Sequence, residues 1–233
     1  MNIILFESNE VGGPLALADE RAQHILKVLR REPGDCFDAG VIDGKRGKAI
    51  VKAIGGDFLE LEFDLTIEEP SLYPIDLIVG LSRPQTNRKI LQEATALGVR
   101  SMRFVLTERG EPSYAESKLW SSGEWRRHVI AGVVQAFTTR MPDVSYGMGL
   151  EEAIEGVGEG TLGIALDNYE ASSELSSIDA EGKEVALAVG SERGWTGAER
   201  SMLRKQGFLL AHLGSRPLRT ETAAVAGITL LTR

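Results

Sequence analysis

Short apolar runs alternate with helical patterns from residue 74 onward, and this alternation constrains the fold more than any other feature. Apolar runs of strand length lie at 75–81, 102–106, 162–166, 185–189 and 208–213. Apolar residues recur at helical spacing over 87–97, 117–137, 198–205 and 221–231, and Thr196 and Glu199 form a capping box before the third of these helices. Such alternation is typical of a mostly parallel sheet covered by helices, so we expect an α/β domain.

The first 70 residues follow a different pattern. A helix is predicted over 19–30, and strands are predicted over 36–42, 48–54 and 59–65. Asp43-Gly44 and Gly55-Gly56-Asp57 separate these strands, which indicates hairpins. The polar stretch Glu68-Glu69-Pro70-Ser71 is the best candidate for a linker, so we expect two domains, 1–70 and 71–233.

Composition narrows the classes of protein. The chain is 42% hydrophobic and 26% charged, and no apolar stretch approaches the roughly 18 residues that span a bilayer. The opening Met1-Asn-Ile-Ile-Leu-Phe lacks a basic lead and a cleavage site, so we expect a cytoplasmic protein. With one cysteine and three scattered histidines, neither a disulfide framework nor a metal site is expected, and Cys36 is predicted to be a small buried hydrophobe.

The net charge of −8 is concentrated in one segment. Ten of the 34 acidic residues but only one of the 26 basic residues lie within 151–184, which leaves 24 acids and 25 bases elsewhere. Outside that segment the chain is nearly neutral, with basic clusters around 21–31 and 45–52. Nucleic-acid binding is therefore compatible with the sequence, although such clusters are also common on solvated surfaces.

Two loops that follow apolar runs are candidates for a ligand site. In the loop 190–197, Gly190 and Gly194 let the main chain approach a ligand, and Glu192 offers a carboxylate to hydroxyls or an amine. In the loop 214–219, Gly214 has the same freedom, and Thr220 or Thr222 is predicted to cap the helix that follows. If the two preceding strands are parallel neighbours, both loops lie at one edge of the sheet and form a pocket for one small molecule. The alternative is a pair of ordinary surface turns.

A literal dinucleotide fingerprint, Gly158-Glu-Gly160-Thr-Leu-Gly163, occurs in the wrong context. A helical pattern precedes it and a strand follows, whereas a pyrophosphate site requires the reverse order. An NAD site is therefore disfavoured. The sequence contains neither a phosphate-binding loop ending in Lys-Ser/Thr nor a Gly-x-Ser-x-Gly nucleophile motif.

The two glycine loops carry a family resemblance. Val189-Gly190-Ser-Glu-Arg-Gly-Trp and Leu213-Gly214-Ser-Arg-Pro-Leu-Arg-Thr-Glu-Thr-Ala resemble the paired motifs Ile-Gly-Pro-Glu-Gly-Gly-Phe and Leu-Gly-x-Arg-Ile-Leu-Arg-x-Glu-Thr-Ala of the RsmE-type 16S ribosomal RNA uridine-N3 methyltransferases. Gln23-His-Ile-Leu-Lys-Val-Leu-Arg30 and Gln92-Glu-Ala-Thr-Ala-Leu-Gly-Val99 are similar to two further motifs of that family. Trp125, Gln135 and Pro142 also match, so the resemblance covers nearly the whole chain.

The resemblance implies a fold, a cofactor and partners. It implies an N-terminal PUA-like β-barrel that binds RNA and a C-terminal SPOUT α/β domain with a trefoil knot, a rare exception to unthreaded folds. It further implies S-adenosylmethionine in the knot at a homodimer interface, and 16S ribosomal RNA or the small subunit as substrate. The cofactor-binding residues implied are Gly190, Glu192, Gly194, Leu213, Gly214, Leu218, Thr222 and Ala223.

Methylation of uridine N3 requires loss of its proton, and this suggests roles for two residues. Arg219 is hypothesised to contact a uracil carbonyl oxygen and stabilise the developing negative charge, while Glu221 orients Arg219 or assists proton removal. The alternative roles are an ion pair and a dipole partner at a helix start. In the N-terminal unit, Arg21, Lys27 and Arg30 are candidates for phosphate contacts.

Departures from the family motifs leave alternatives open. Ser191, Arg193 and Pro217 replace family proline, glycine and isoleucine in the two loops. Polar family residues are also absent at Ala96, Ala131, Val134 and Thr138. A methyltransferase acting on another RNA, or a catalytically altered RNA-binding relative, therefore remains an alternative, with an NAD-dependent oxidoreductase ranked last.

Overall fold

A computed structural model describes residues 3–232 and divides the chain into two compact units. The first unit runs to Ser71 and takes in Val133–Met141, and the second holds Leu72–Gly132 and the chain from Pro142 onward. The return of 133–141 to the first unit was not predicted, because no change of composition marks that segment.

The first unit is built on a five-stranded sheet in the order β1-β3-β4-β5-β2, with β1 and β3 parallel and the other pairs antiparallel. Its strands are β1 Ile4–Phe6, β2 Leu15–Ala16, β3 Cys36–Val41, β4 Arg46–Ile54 and β5 Phe58–Ile67. The three strands predicted over 36–65 are confirmed. Phe6, Ile25, Phe37, Val51 and Leu59 are buried in its core.

The helix predicted over 19–30 is confirmed in position. It consists of α1 Glu20–Gln23 followed by a π-helical segment, His24–Val28, and the Asp19 side chain caps it by accepting a hydrogen bond from the Arg21 N–H at 2.8 Å. The prediction that Cys36 is buried was wrong. Cys36 begins β3 on the exposed face, and alternation places Phe37 in the core instead.

The segment Val133–Met141 is bound into the first unit by specific contacts. Thr138 Oγ1 donates to Glu69 Oε2 at 2.6 Å, and the Met141 N–H donates to Asp43 Oδ1 at 2.9 Å. Thr139 is fully buried, and a side chain at Gly40 would collide with its methyl group. Gly40 therefore makes room for a residue nearly 100 positions away in sequence.

The second unit contains a seven-stranded sheet in the order β10-β12-β9-β11-β6-β7-β8, and every pair is parallel. Its strands are β6 Tyr73–Gly80, β7 Val99–Leu106, β8 Asp143–Gly149, β9 Leu162–Leu166, β10 Ser173–Glu174, β11 Val185–Val189 and β12 Leu209–His212. The expected parallel sheet is confirmed.

Helices connect these strands. They are α2 Pro84–Ala96, α3 Lys118–Ser121, α4 Glu124–Gln135, α5 Leu150–Glu155 and α6 Gly197–Lys205, with 3₁₀ turns at Pro112–Glu116 and Leu175–Ser177, and α7 Thr220–Leu231 follows the last strand. A further 3₁₀ turn, Ser8–Glu10, lies in the first unit. The predicted capping box of α6 is confirmed, since the Glu199 N–H donates to Thr196 Oγ1 at 3.1 Å and the Thr196 N–H to Glu199 Oε2 at 2.8 Å.

Two helix predictions need correction. The single helix predicted over 117–137 is broken into α3 and α4 at Gly123, whose φ of +74° does not fit a right-handed helix. Neither Thr220 nor Thr222 caps α7, because Arg219 is the N-cap residue and no side chain accepts a hydrogen bond there. Thr220 is instead buried as the first residue of the helix. Farther along, Gly227 allows α7 to pack closely on Leu187 of β11.

Residues 3–232 offer no candidate for a membrane-spanning helix or for a metal site. None of the helices there is long and apolar enough to cross a bilayer. No group of three or more histidine, cysteine or acidic side chains in the same part of the chain is arranged to hold a metal ion.

Candidate active site

A cavity of about 660 Å³ opens at the carboxyl ends of β9, β11 and β12 in the second unit. The loops after these strands meet there because the strands are parallel. We expected the two glycine loops to share one edge of the sheet if β11 and β12 were neighbouring strands. They are not neighbours, because β9 lies between them. The shared edge survives the correction, and the loop after β9 becomes a third wall.

Most of the residues predicted for this site line the cavity. The loops contribute Gly190, Glu192, Gly194, Leu213, Leu218, Arg219, Glu221 and Ala223. Gly214 and Thr222 are not among the described residues that line it, although Gly214 turns the chain out of β12 with a φ of +101°. Sequence reasoning missed Arg83, Thr86, Lys89, Asp167 and Tyr169.

The loop after β11 is folded tightly on itself. A Cβ atom at Gly190 would lie 3.1 Å from Cα of Gly194, and Gly194 has a φ of +65°. Buried Trp195 donates from Nε1 to the carbonyl of Leu166 at 3.0 Å, which fixes this loop to the end of β9. Gly190 and Gly194 both line the cavity, so this part of its wall carries no side chains.

Glu192 fastens the same loop to the start of α2. Its Oε1 accepts a hydrogen bond from the Arg83 N–H at 3.0 Å and a longer one from Thr86 Oγ1 at 3.4 Å. The side chain is exposed, so its second oxygen is accessible to a ligand group. Glu192 thus combines a structural contact with a free acceptor.

The two predicted catalytic residues, Arg219 and Glu221, lie at the start of α7. The Arg219 carbonyl accepts from the Ala223 N–H at 2.8 Å, and the Arg219 side chain is exposed, with no hydrogen-bonded or ion-paired partner within residues 3–232. Glu221 Oε1 accepts from Lys89 Nζ of α2 at 3.2 Å. Burial alone would raise the pKa of Glu221, but a hydrogen bond from its own N–H and the charges of Lys89 and Arg219 outweigh burial and lower this pKa. Glu221 is therefore ionised near neutrality.

The loop after β9 is held by a buried ion pair. The Asp167 and Arg200 side chains are 2% and 7% exposed, and Arg200 Nε donates to Asp167 Oδ2 at 2.7 Å. Asp167 Oδ1 also accepts from the N–H groups of Tyr169 and Glu170. Burial would raise the pKa of Asp167, but these hydrogen bonds lower it overall. Tyr169, 77% exposed, is thereby held at the cavity rim.

The departures from the family motifs occupy distinct places. Ser191 is buried, and its hydroxyl lies 3.4 Å from Thr107 Oγ1. Arg193 lines the cavity, and its carbonyl accepts from Arg109 Nη1 at 3.2 Å. Pro217 also lines the cavity, where its ring limits the loop after β12. The cavity remains open with all three substitutions present.

The fingerprint at 158–163 has a structural explanation. α5 ends before it and β9 follows, as the sequence indicated. A Cβ atom at Gly163 would lie 2.8 Å from the ring of Phe208, so this glycine allows the ring to pack against β9. Gly160 serves a turn with a φ of +82°.

The three candidate RNA contacts in the first unit differ from one another. Arg21 is engaged by Glu10 at 2.7 Å and Asp19 at 2.8 Å, and its guanidinium lies over the Phe6 ring. Arg21 therefore stabilises the unit rather than presenting a free charge. Lys27 and Arg30 are exposed and available, and Arg30 has a φ of +53° at the end of its helix.

Comparison with protein families and solved structures identifies both units. A family model described as RNA methyltransferase domain matches residues 68–232, and one described as RNA methyltransferase PUA domain matches residues 17–64. The expected PUA-like barrel and SPOUT-type α/β domain are thereby confirmed. The family match also makes the chain a methyltransferase.

Relatives resemble the chain over nearly its whole length. Ribosomal RNA small subunit methyltransferase E of Treponema pallidum is 35% identical over 99% of this chain and 90% of its own, and methyltransferase E 1 of Borreliella burgdorferi is 29% identical over 97% and 95%. The solved structure of the Neisseria gonorrhoeae methyltransferase E, bound to S-adenosyl methionine, is 28% identical, covers 98% of this chain and 95% of its own, and superimposes with a TM-score of 0.79. The chain therefore belongs to the family of ribosomal RNA small subunit methyltransferase E.

Proposed function

We propose that the protein methylates N3 of a uridine in 16S ribosomal RNA of the small subunit, with S-adenosylmethionine as methyl donor. The observation that carries the proposal is the cavity at the ends of β9, β11 and β12, where glycine-rich main chain faces Arg219 and Glu221. The Neisseria gonorrhoeae relative, which shares the fold over 98% of this chain, is bound to S-adenosyl methionine.

The residues present fit this cofactor. The cavity volume lies in the range that encloses small-molecule ligands, and the close approach at Gly190 leaves main-chain groups free to meet a ligand. S-adenosylmethionine supplies a methyl group activated on a positively charged sulfur. Main-chain groups of Gly190, Gly194 and Leu213 would hold it, Glu192 would accept from a hydroxyl or amine, and Leu218 and Ala223 would cover apolar parts. Gly214 and Thr222 would act indirectly, Gly214 by turning the chain out of β12 and Thr222 by supporting the start of α7.

Arg219 is proposed to bind the uracil. Loss of the N3 proton to solvent water places negative charge on the adjacent carbonyl oxygens, and a guanidinium placed there stabilises that charge. Arg219 is suited to this role because it lines the cavity and its side chain forms no hydrogen bond or ion pair with another residue of 3–232, although its charge acts on nearby Glu221. Because the uracil is held beside the methyl donor, N3 reacts at a large effective concentration.

Glu221 is proposed to orient the reacting groups. Its lowered pKa makes it a weak base but a reliable anion, which suits electrostatic positioning of Arg219 better than strong proton abstraction. Lys89 of α2 restrains the carboxylate by its hydrogen bond.

RNA binding and assembly complete the proposal. Lys27 and Arg30 of the first unit are proposed to contact phosphates, because both are exposed cations. A cytoplasmic homodimer with the chain threaded as a trefoil knot is proposed from the family resemblance alone.

The proposal is tested by methyl transfer from labelled S-adenosylmethionine to small ribosomal subunits isolated from cells that lack this gene, followed by mass-spectrometric mapping. Label on N3 of a uridine in 16S RNA is expected. Label on another RNA would redirect the substrate assignment. Cofactor and RNA binding without transfer would instead support the catalytically altered relative.

A further inference from the structure

A second pocket of about 500 Å³ adjoins the cavity in the second unit. Arg83 and Gln85 line both, so the two are neighbours. The remaining lining residues are Pro84, Arg88, Tyr114, Ser117, Lys118 and Leu119. None of the roles proposed above uses this pocket.

The pocket combines cations with apolar surface. Arg83, Arg88 and Lys118 line it, and none of the described lining residues is acidic. Arg88 is paired with Glu124 at 2.6 Å, so its charge is largely compensated. Arg83 and Lys118 are exposed, and no ion pair joins either one to another residue within 3–232. Two free cations therefore remain beside the pocket.

Aromatic and polar groups in the pocket suit a nucleotide. Half-buried Tyr114 supplies an aromatic surface, which is the chemistry that binds the face of an unstacked base. The Ser117 hydroxyl is buried without a hydrogen-bond partner among the described residues, so it is a polar group for which a ligand could supply a partner. Exposed arginine and lysine at the rim complement a phosphodiester.

We propose that this pocket binds a nucleotide flanking the target uridine, with its base against Tyr114 and its phosphate at Lys118 and Arg83. The inference rests on the proposed function, because the flanking nucleotide enters this pocket when the target uridine occupies the adjoining cavity. A base moved out of its stack deprives its neighbour of a stacking partner, and an aromatic side chain replaces that partner.

The test compares full-length Tyr114→Ala, Lys118→Ala and the double variant with the wild-type protein. Three quantities are measured: S-adenosylmethionine affinity, KM for small subunits, and the affinity for a short single-stranded RNA as a function of salt. Tyr114→Phe keeps the ring. Lys205→Ala is the matched charge control. Lys205 is also an exposed lysine, but it ends α6 and is not among the described residues that line either pocket.

Tyr114→Ala is expected to raise the KM for subunits roughly tenfold, as loss of a stacking aromatic does, while Tyr114→Phe stays close to wild type. Lys118→Ala is expected to reduce the salt slope for RNA by about 0.7 to 1, with Lys205→Ala unchanged. S-adenosylmethionine affinity should be unaltered in every variant.

Wild-type KM and RNA affinity in both alanine variants would overturn the inference. So would an equal loss of cofactor affinity, because the pocket would then act through the cavity. Weaker binding to intact subunits with unchanged binding to free RNA would assign the pocket to a ribosomal protein instead. If the wild-type protein transfers no methyl group, the proposed function fails. The salt-dependent RNA affinity of Lys118→Ala then still decides whether the pocket binds RNA.

Discussion

Nζ of Lys89 lies 3.2 Å from Oε1 of Glu221, and this contact joins helices α2 and α7 at residues that both line the cavity. Lys89 is 59% exposed and Glu221 17% exposed, so the carboxylate is the more enclosed partner. The contact holds the carboxylate in one position, and it is one of the causes that lower the pKa of Glu221.

Lys89→Ala should move the acid limb of the pH–rate profile to higher pH. The folded pKa of Glu221 is lowered, so the carboxylate interactions are present above its ordinary pKa and are lost as pH falls through the lowered value. Removing Lys89 raises that value. Single-turnover methyl transfer across the acidic range measures the limb, and Glu221→Gln should abolish it. Identical acid limbs in Lys89→Ala and wild type would contradict the inference that Lys89 lowers the pKa of Glu221.

Arg219→Ala should slow methyl transfer by about 10²-fold to 10³-fold, the usual cost of removing a group that stabilises a developing oxyanion. S-adenosylmethionine affinity should change little, because the proposed contact is with the uracil. Arg216→Ala is the control, since Arg216 is exposed in the same loop but is not among the described cavity-lining residues. A wild-type rate in a folded Arg219→Ala protein would refute the role.

Gly190→Ala should weaken S-adenosylmethionine binding by about tenfold or more, which corresponds to about 1.4 kcal/mol. The added methyl group would lie 3.1 Å from Cα of Gly194, so the loop must move. Gly197→Ala is the matched control, because a Cβ atom there meets no other group within 4 Å. Calorimetric titration of both variants with the cofactor distinguishes them, and equal affinities would argue against main-chain contacts at Gly190.

Asp167→Ala should lower the free energy of unfolding of the second unit by about 3 kcal/mol, because it leaves the buried Arg200 charge with only its longer, 3.4 Å contact to half-exposed Glu170. Denaturant titration at neutral pH measures the loss. The pKa of Asp167 is lowered in the folded state, so the wild-type advantage should be present above its ordinary pKa and vanish as pH falls through the lowered value. Asp179→Ala, at an 82% exposed side chain, should cost no more than about 1 kcal/mol.

Lys27→Gln combined with Arg30→Gln should reduce the salt slope for RNA binding by about 1.4 to 1.8, since each phosphate contact contributes about 0.7 to 0.9. Arg21→Gln should instead lower stability, because Arg21 bridges Glu10 and Asp19. Filter-binding titrations at several salt concentrations test the first expectation and thermal unfolding tests the second. An unchanged salt slope in the double variant would show that Lys27 and Arg30 do not contact RNA phosphates.

The sequence was sufficient for features that local chemistry dictates. Thr196 and Glu199 predicted their capping box because both groups lie within one helical turn. The parallel sheet followed from the alternation of strands and helices. Gly123 shows the limit of periodicity, because apolar spacing continues across a residue whose left-handed backbone ends one helix and precedes another.

The site was predicted only where its residues lie next to each other in the chain. The two glycine loops were found, but Lys89 contributes from a helix 132 positions away from Glu221. Asp167 and Tyr169 follow β9, whose place between β11 and β12 was not foreseen. If the end of every predicted parallel strand had been considered, and not only the glycine-rich ends, the loop after β9 would have been found. The Asp167–Arg200 pair depends on burial, which spacing alone does not reveal.

The segment Val133–Met141 has a consequence for biosynthesis. During synthesis the amino terminus of the chain leaves the ribosome first. Thr138 and Met141, however, form hydrogen bonds with Glu69 and Asp43 in the first unit. A nascent chain that stops at Ser71 lacks these partners, and the Gly40 space that Thr139 fills is left empty. The amino-terminal unit therefore reaches its final packing only after residue 141 has left the exit tunnel, when β6 and β7 of the second unit have already been synthesised.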